Sequence, residues 1–301
     1  MRLLALGAAG AAAGLAYSAG YEVHAFALRR HRVPVLPEDH PVLRVLHLSD
    51  LHLAPWQRAK REWVAHLAAL QPDLVVTTGD LIAHRDAVPV LARALGGLLE
   101  RPGVFVRGSN DYFAPILKNP GRYLLPDAGA RDLHGDPLPT AALDRLLTGA
   151  GWLDVDNART ALPLGDLTVE VVGTDDAHLD YDRYAEVAGP RSEAADLLLG
   201  VTHAPYLRVL DAMAADGVDL ILAGHTHGGQ LCLPGGRALV TNCDLEPGRA
   251  RGLSRHSTDG RADASWLHVC AGLGTSPTAP VRFACRPEAS LLTLVPRTGG
   301  Q

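Results

Sequence analysis

The stretch Val42-Leu43-Arg44-Val45-Leu46-His47-Leu48-Ser49-Asp50-Leu51-His52 decides the architecture. A mostly apolar run of strand length stops abruptly at a carboxylate and an imidazole. Four further runs end in the same way. Leu74–Thr78 meets Gly79-Asp80, and Val104–Arg107 meets Gly108-Ser109-Asn110-Asp111. Leu197–Thr202 meets His203, and Leu220–Ala223 meets Gly224-His225-Thr226-His227. Helical patterns fall between the early runs, at Trp56–Leu70 and Ala87–Leu99, so the chain reads as α/β with a mainly parallel sheet. Ligands bind beyond the carboxyl ends of strands in such sheets. Asp50, His52, Asp80, Asn110, His203, His225 and His227 would therefore converge on one crevice, with donors enough for two cations. Paired cations of this kind serve phosphoester chemistry.

At 301 residues and 47% hydrophobic, the chain can bury a large core in one domain or two. Its formal charge of −5 argues against an electrostatic nucleic-acid binder. Cys232, Cys243, Cys270 and Cys285 form no CxxC pair, and Cys232 and Cys270 read as small core residues within strand-like runs.

Residues 1–35 read as a hydrophobic anchor or signal segment plus linker, and residues 36–301 as the catalytic domain. Leu3–Gly20 is an uncharged stretch of intermediate length between a signal-peptide core and a spanning helix. Arg29, Arg30 and Arg32 outnumber Arg2, which would keep the domain cytoplasmic behind an uncleaved anchor. Export is the competing reading, so membrane association is expected and its side stays open. Val33–Pro41 holds three prolines and reads as linker. Residues 119–139 read as a loop insertion able to act as a lid, followed by a helix over Thr140–Ala150 capped by Thr140. Leu167–Gly173, Trp266–Ala271 and Ala289–Val295 are further strands, and Tyr206–Ala215 a further helix.

Taken alone, the Asp-x-His triplet is weak, because Asp132-Leu133-His134 and Asp176-Ala177-His178 repeat it. In extended chain, Asp50 and His52 would project to the same side. The specific signal is Gly224-His225-Thr226-His227-Gly228-Gly229-Gln230, two alternating imidazoles between glycines with His203 at the end of the preceding run.

In order and spacing these motifs resemble the calcineurin-like metallophosphoesterase superfamily, whose pattern runs D-x-H, G-D, G-N-H-D/E, a lone H and G-H-x-H. The Gly-Gly-Gln and the hydrophobic N-terminus look most like its membrane-associated bacterial phosphohydrolase branch. The resemblance implies a two-sheet β-sandwich flanked by helices in four layers. It places Asp50, His52 and His227 on one ion, Asp80 between both, and Asn110, His203 and His225 on the other. The ions implied are divalent, Mn, Fe or Zn.

One motif departs from the pattern. Gly108-Ser109-Asn110-Asp111 stands where G-N-H-D belongs, so either Ser109 takes the ligand position or Asn110 keeps it and the His is missing. The second is preferred, because an amide carbonyl coordinates better than a hydroxyl. The proton-donating imidazole is absent in both cases, and His178 and His84 are the replacement candidates. Tyr112 and Phe113 stand ready either to line the pocket or to fill the core, and Asp175 and Asp176 read as turn residues.

The function implied is hydrolysis of a phosphoester by a hydroxide held between two metal ions, with phosphodiester favoured over monoester. Catalytic roles fall to Asp80, Asn110, His203 and His225. A membrane lipid or envelope precursor is the expected substrate class. The alternatives are a non-catalytic metal-binding scaffold of the same fold and a phosphoprotein phosphatase.

Overall fold

Two six-stranded sheets face each other across an apolar interior. The computed structural model describes residues 13–116, 135–258, 264–275 and 278–297. The first sheet runs β1 (Ala27–Leu36), β12 (Glu288–Pro296), β2 (Leu43–Leu48), β3 (Leu74–Thr78), β4 (Gly103–Val106), β5 (Leu153–Asp154). The second runs β10 (Gly252–His256), β11 (Ser265–Val269), β9 (Leu220–Ala223), β8 (Leu197–Val201), β7 (Leu167–Gly173), β6 (Arg159–Leu164). β2 to β5 are mutually parallel, as are β7, β8, β9 and β11. All five ligand-bearing runs therefore end at the same edge of the sandwich.

Side-chain alternation builds the layers. Val45, Val76, Val104, Leu199, Leu222 and Leu292 point between the sheets. Leu46, Leu48, Val75 and Phe105 point the other way, onto α1 (Arg58–His66), α2 (Val88–Leu95) and α4 (Thr140–Gly149), while α3 (Ser109–Tyr112) is one short turn. On the far side, Leu198, Ile221 and Leu267 receive Val209, Leu210 and Met213 of α5 (Leu207–Ala215). The result is a four-layer αββα sandwich.

The N-terminal reading needs correction. Val33–Leu36 is the end of β1, not linker, and β1 pairs in parallel with β12 along most of its length. Pro34 fits there because β1 is an edge strand, where a missing N–H breaks no ladder bond. Thr140 does not cap its helix with its side chain; its Oγ1 donates to the Asp111 carbonyl at 2.7 Å. Cys270 follows β11 and Cys232 makes only an isolated bridge, although both are buried. Among the described residues no helix is long and apolar enough to cross a membrane, and residues 1–12 lie outside them. Residues 119–134 of the expected insertion also lie outside the described residues.

β1 contributes Val33, Val35 and Leu36, each at most 2% exposed. Fully burying such a side chain is worth ~1.5–3 kcal/mol, so their loss costs roughly 5 kcal/mol or more. A truncated chain beginning at Pro37 is expected to aggregate or melt far below one beginning at Ala13. Thermal unfolding followed by circular dichroism checks this.

Candidate metal centre

Three of the five strand ends, those of β2, β3 and β9, deliver their ligands through backbone that ordinary residues avoid. Asp50 (φ 48°), His52 (41°), Asp80 (54°), His225 (67°) and His227 (49°) all lie in the left-handed region. Such residues cost on the order of 1 kcal/mol or more each and persist only where the surroundings hold them. Asp50 and His52 therefore meet through two left-handed turns, and the extended-chain reading of their spacing does not hold. Gly224 makes the approach possible, since a Cβ there would lie 1.8 Å from Ser49 Oγ.

These turns bring the donors together in two overlapping groups. Donor atoms of Asp50, His52 and His227 lie within 4.8 Å of one another, as do those of Asp50, Asp80 and His203. His225 joins the second group, its Nδ1 3.3 Å from His203 Nε2. All are buried except His227, which is half-buried. The cleft above them is lined by His52, Asp80, Asn110, Phe113, His178 and His225 among others.

Main-chain carbonyls fix three of the imidazoles. A carbonyl only accepts, so His203 donates from Nδ1 to Thr78 O (2.6 Å), His227 from Nδ1 to Gly274 O (3.0 Å) and His225 from Nε2 to Asn242 O (3.2 Å). The second nitrogen of each ring is thereby turned into the cluster. His227 Nε2 lies 3.3 Å from His52 Nε2, a contact in which two lone pairs repel unless a cation or proton lies between them. Asp50 Oδ2 accepts from Ser49 Oγ and from the His225 N–H, while its buried Oδ1 has no hydrogen-bond partner. This donor set of carboxylates and imidazoles without thiolate fits divalent cations of the Mn, Fe or Zn class.

Asn110 meets the site from α3. Its backbone N–H donates to Asp80 Oδ1 (2.7 Å) and its side-chain nitrogen to Asp80 Oδ2 (2.8 Å). Coordination by Asn110 requires the carboxamide turned so that its oxygen faces the ions. Ser109 also lines the cleft, so both placements of the altered motif reach the site. Asp111 is a brace, accepting from the N–H groups of Leu81, Ile82 and Gly108.

The replacement candidates separate. His178 lines the cleft, its ring 4.5 Å from that of His225 and its Nδ1 3.0 Å from Tyr206 Oη. His84 packs edge-on against Trp56 and accepts from the Asp86 N–H, and it is not among the lining residues. Phe113 lines the cleft, whereas Tyr112 turns away and donates to Asp175. Asp176 is a turn residue that holds the His178 N–H, yet it also stands near enough to His203 to raise its basicity.

Electrostatics follow from burial. Desolvation pushes Asp50 up to about 6. It works in the same direction on Asp80, but His203, His52 and the Asn110 hydrogen bonds outweigh it and hold Asp80 well below the usual range. For His203, burial opposes the charge and Asp80, Asp176 and Asp50 more than offset it, bringing the imidazole to about 9. His52 is held down to about 4, mainly by burial, and His227 is lowered by burial and by its neighbours His52 and Arg282.

Arg282 and Lys60 carry no motif and were not anticipated. Arg282 is fully buried, and its Nη atoms donate to the carbonyls of His227, Ala271, Gly272, Gly274 and Cys285. It thereby clamps the 271–274 turn, which in turn supports the main chain of Ser49 and Asp50. Lys60 donates to Leu51 O behind His52, and burial lowers its ammonium to about 7.

The comparisons with known proteins agree with this geometry. The model of the calcineurin-like phosphoesterase family matches residues 43–229. The chain belongs to that family. It is similar to the uncharacterized metallophosphoesterase YkuE of Bacillus subtilis (strain 168), 26% identical over 307 residues that cover 97% of this chain and 93% of that protein. It is also similar to a transmembrane protein with metallophosphoesterase domain from Bos taurus, 31% identical over 205 residues, 66% of this chain and 44% of that one. Phosphodiesterase YaeI of Escherichia coli (strain K12) is 25% identical over 277 residues, covering 90% and 88%.

Two expectations follow for this phosphoesterase. Metal uptake must expel the His203 proton below about pH 9 and the Asp50 proton below about 6. Apparent affinity should then rise about tenfold per pH unit between those values and more steeply beneath them. Calorimetry in buffers of different ionisation enthalpy reads the released protons, and a pH-independent affinity would contradict the assignment. Separately, Arg282→Met leaves five carbonyls short of a donor and should cost roughly 3 kcal/mol. That corresponds to a fall in Tm of roughly 5–10 °C.

Proposed function

We propose that this chain is a phosphodiesterase whose reaction depends on two divalent cations. The observation that carries the reading is the convergence of seven strand-end residues on one cleft, each imidazole with a nitrogen turned inward. Asp50, His52 and His227 would hold one ion, His203, His225 and Asn110 the other, with Asp80 shared. The pair, when bound, supplies Lewis acidity and a water acidified towards neutrality.

The chain's own residues do the rest. Asp80, with two oxygens in a buried setting, fixes the separation of the two subsites. The Asn110 backbone N–H keeps it oriented, and that bond survives when the carboxamide, which donates to the other Asp80 oxygen in this structure, turns its oxygen to a cation. His178 stands beside His225 at the cleft wall and supplies the imidazole that the altered 108–111 motif lacks, protonating the leaving oxygen. General acid catalysis of this kind is worth about 10²–10⁴-fold. Phe113 offers an apolar wall to an ester substituent.

Preference for a diester rests on charge. Among the described residues no Lys or Arg lines the cleft, so beyond the ions the phosphoryl group meets imidazoles and neutral amides and hydroxyls. A singly charged diester needs less than a dianionic monoester. The Escherichia coli relative YaeI, named a phosphodiesterase, points the same way. The Leu3–Gly20 stretch and the Bos taurus relative's name support membrane association, which would bring lipid or envelope phosphodiesters to the site.

Hydrolysis of a nitrophenyl diester and the matching monoester, on metal-stripped and Mn²⁺- or Zn²⁺-reloaded protein, tests the reading. Metal-dependent diester cleavage abolished by Asp80→Asn and His225→Ala is expected. His178→Ala should lower the rate about 10²-fold or more on a diester with a poor leaving group and far less on the nitrophenyl ester. Tight cation binding with no turnover of either ester would favour the scaffold.

A further inference from the structure

Leading to Asp50 is a buried polar chain whose other members the hydrolytic reading does not use. Five residues with no exposed surface, His268, His47, Thr78, Ser49 and Asp50, run from β11 through the interior to the cleft. His268 Nδ1 is 2.9 Å from His47 Nδ1, and His47 Nε2 is 2.9 Å from Thr78 Oγ1. Thr78 Oγ1 donates to Ser49 Oγ at 2.7 Å, and Ser49 Oγ donates to Asp50 Oδ2 at 2.6 Å.

Hydrogen-bond valence fixes the direction of every link. An ionised carboxylate only accepts, so Ser49 spends its proton on Asp50 and accepts from Thr78. Thr78 then accepts from His47, which must carry its hydrogen on Nε2. The two Nδ1 atoms can share only one hydrogen, and His47, neutral, has none to give there. His268 therefore carries its hydrogen on Nδ1. Consistently, burial pushes His47 down to about 3 and His268 well below its usual value, so both rings stay neutral. The far end of the chain fits this order. His268 Nε2 is buried without a hydrogen-bond partner, as a bare acceptor would be, next to the ring of His31 at 5.0 Å.

We propose that His268, His47, Thr78 and Ser49 are positioning residues, a one-way hydrogen-bond chain that holds Asp50 Oδ2 and leaves Oδ1 turned to its cation. The inference rests on the reading of Asp50 as a metal ligand. Four hydrogens in series all point at one carboxylate oxygen, and each link strengthens the next in a low-dielectric interior. The other oxygen of the same carboxylate is the one without a hydrogen-bond partner. Outer partners of this type usually matter to metal affinity by about 10–100-fold.

Two readouts, neither requiring turnover, decide the matter. In the full ¹⁵N-labelled, metal-free chain at mildly alkaline pH, two-bond ¹⁵N–¹H correlations should report His47 as the Nε2–H tautomer and His268 as the Nδ1–H tautomer. Finding His47 protonated on Nδ1, or either ring charged, would overturn the chain's direction. Cation affinity measured by chelator competition should fall about 10–100-fold in Thr78→Val, which keeps the side chain's shape, and recover in Thr78→Ser. A folded Thr78→Val that binds cations as the wild type does would sink the positioning role. Wild-type protein that binds cations with the expected tautomers yet hydrolyses no ester would leave this inference standing and remove the phosphodiesterase reading.

Discussion

Two carboxylates buried side by side are the constraint on which this molecule turns. Asp50 is fully buried and Asp80 is 3% exposed, and an uncompensated charge in such a place costs several kcal/mol. In the metal-free chain the His203 proton supplies part of the compensation, together with N–H donors from Asn110 and His225. Cations would supply the remainder. The turns that hold five ligands at positive φ are tolerable because the two sheets and the clamped 271–274 turn fix both flanks. Strain and buried charge are thus concentrated where the family's chemistry needs them.

The positive charge of Arg282 and Lys60 acts at a distance on the same problem. Both lie behind the cleft and bond to main-chain carbonyls. Both hold the loops; Arg282 opposes protonation of His52 and His227 and Lys60 that of His52, which keeps ring nitrogens available to a cation. Opposite in sign, Asp80, Asp176 and Asp50 raise His203. The site is therefore divided between imidazoles that start bare and one that must give up a proton.

Much of this was legible in the chain. Each ligand-bearing run is apolar, short and stopped by Gly, Asp or His, a pattern set by strand burial on both faces. β1 was hidden by Arg29, Arg30 and Arg32 on its exposed positions and by Pro34, which reads as a breaker but is harmless at an edge. The expectation that Asp50 and His52 meet through extended backbone failed because left-handed turns do that work. Asp176-Ala177-His178 looked like a chance copy of the motif, yet the fold carries His178 to the cleft. Nothing local distinguishes it from His84, which lies elsewhere. Arg282 was illegible because main-chain carbonyls leave no side-chain signature, and the His268–Thr78 chain because its members lie far apart in sequence.

The central claim is that five strand ends build one centre for two cations. Anomalous scattering from a crystal of the full chain grown with Mn²⁺ tests it most directly. The account predicts two peaks, one among Asp50, His52 and His227 and one among His203, His225 and Asn110, with Asp80 touching both. Absence of a peak in the cleft at saturating Mn²⁺, or one located only elsewhere, would contradict it.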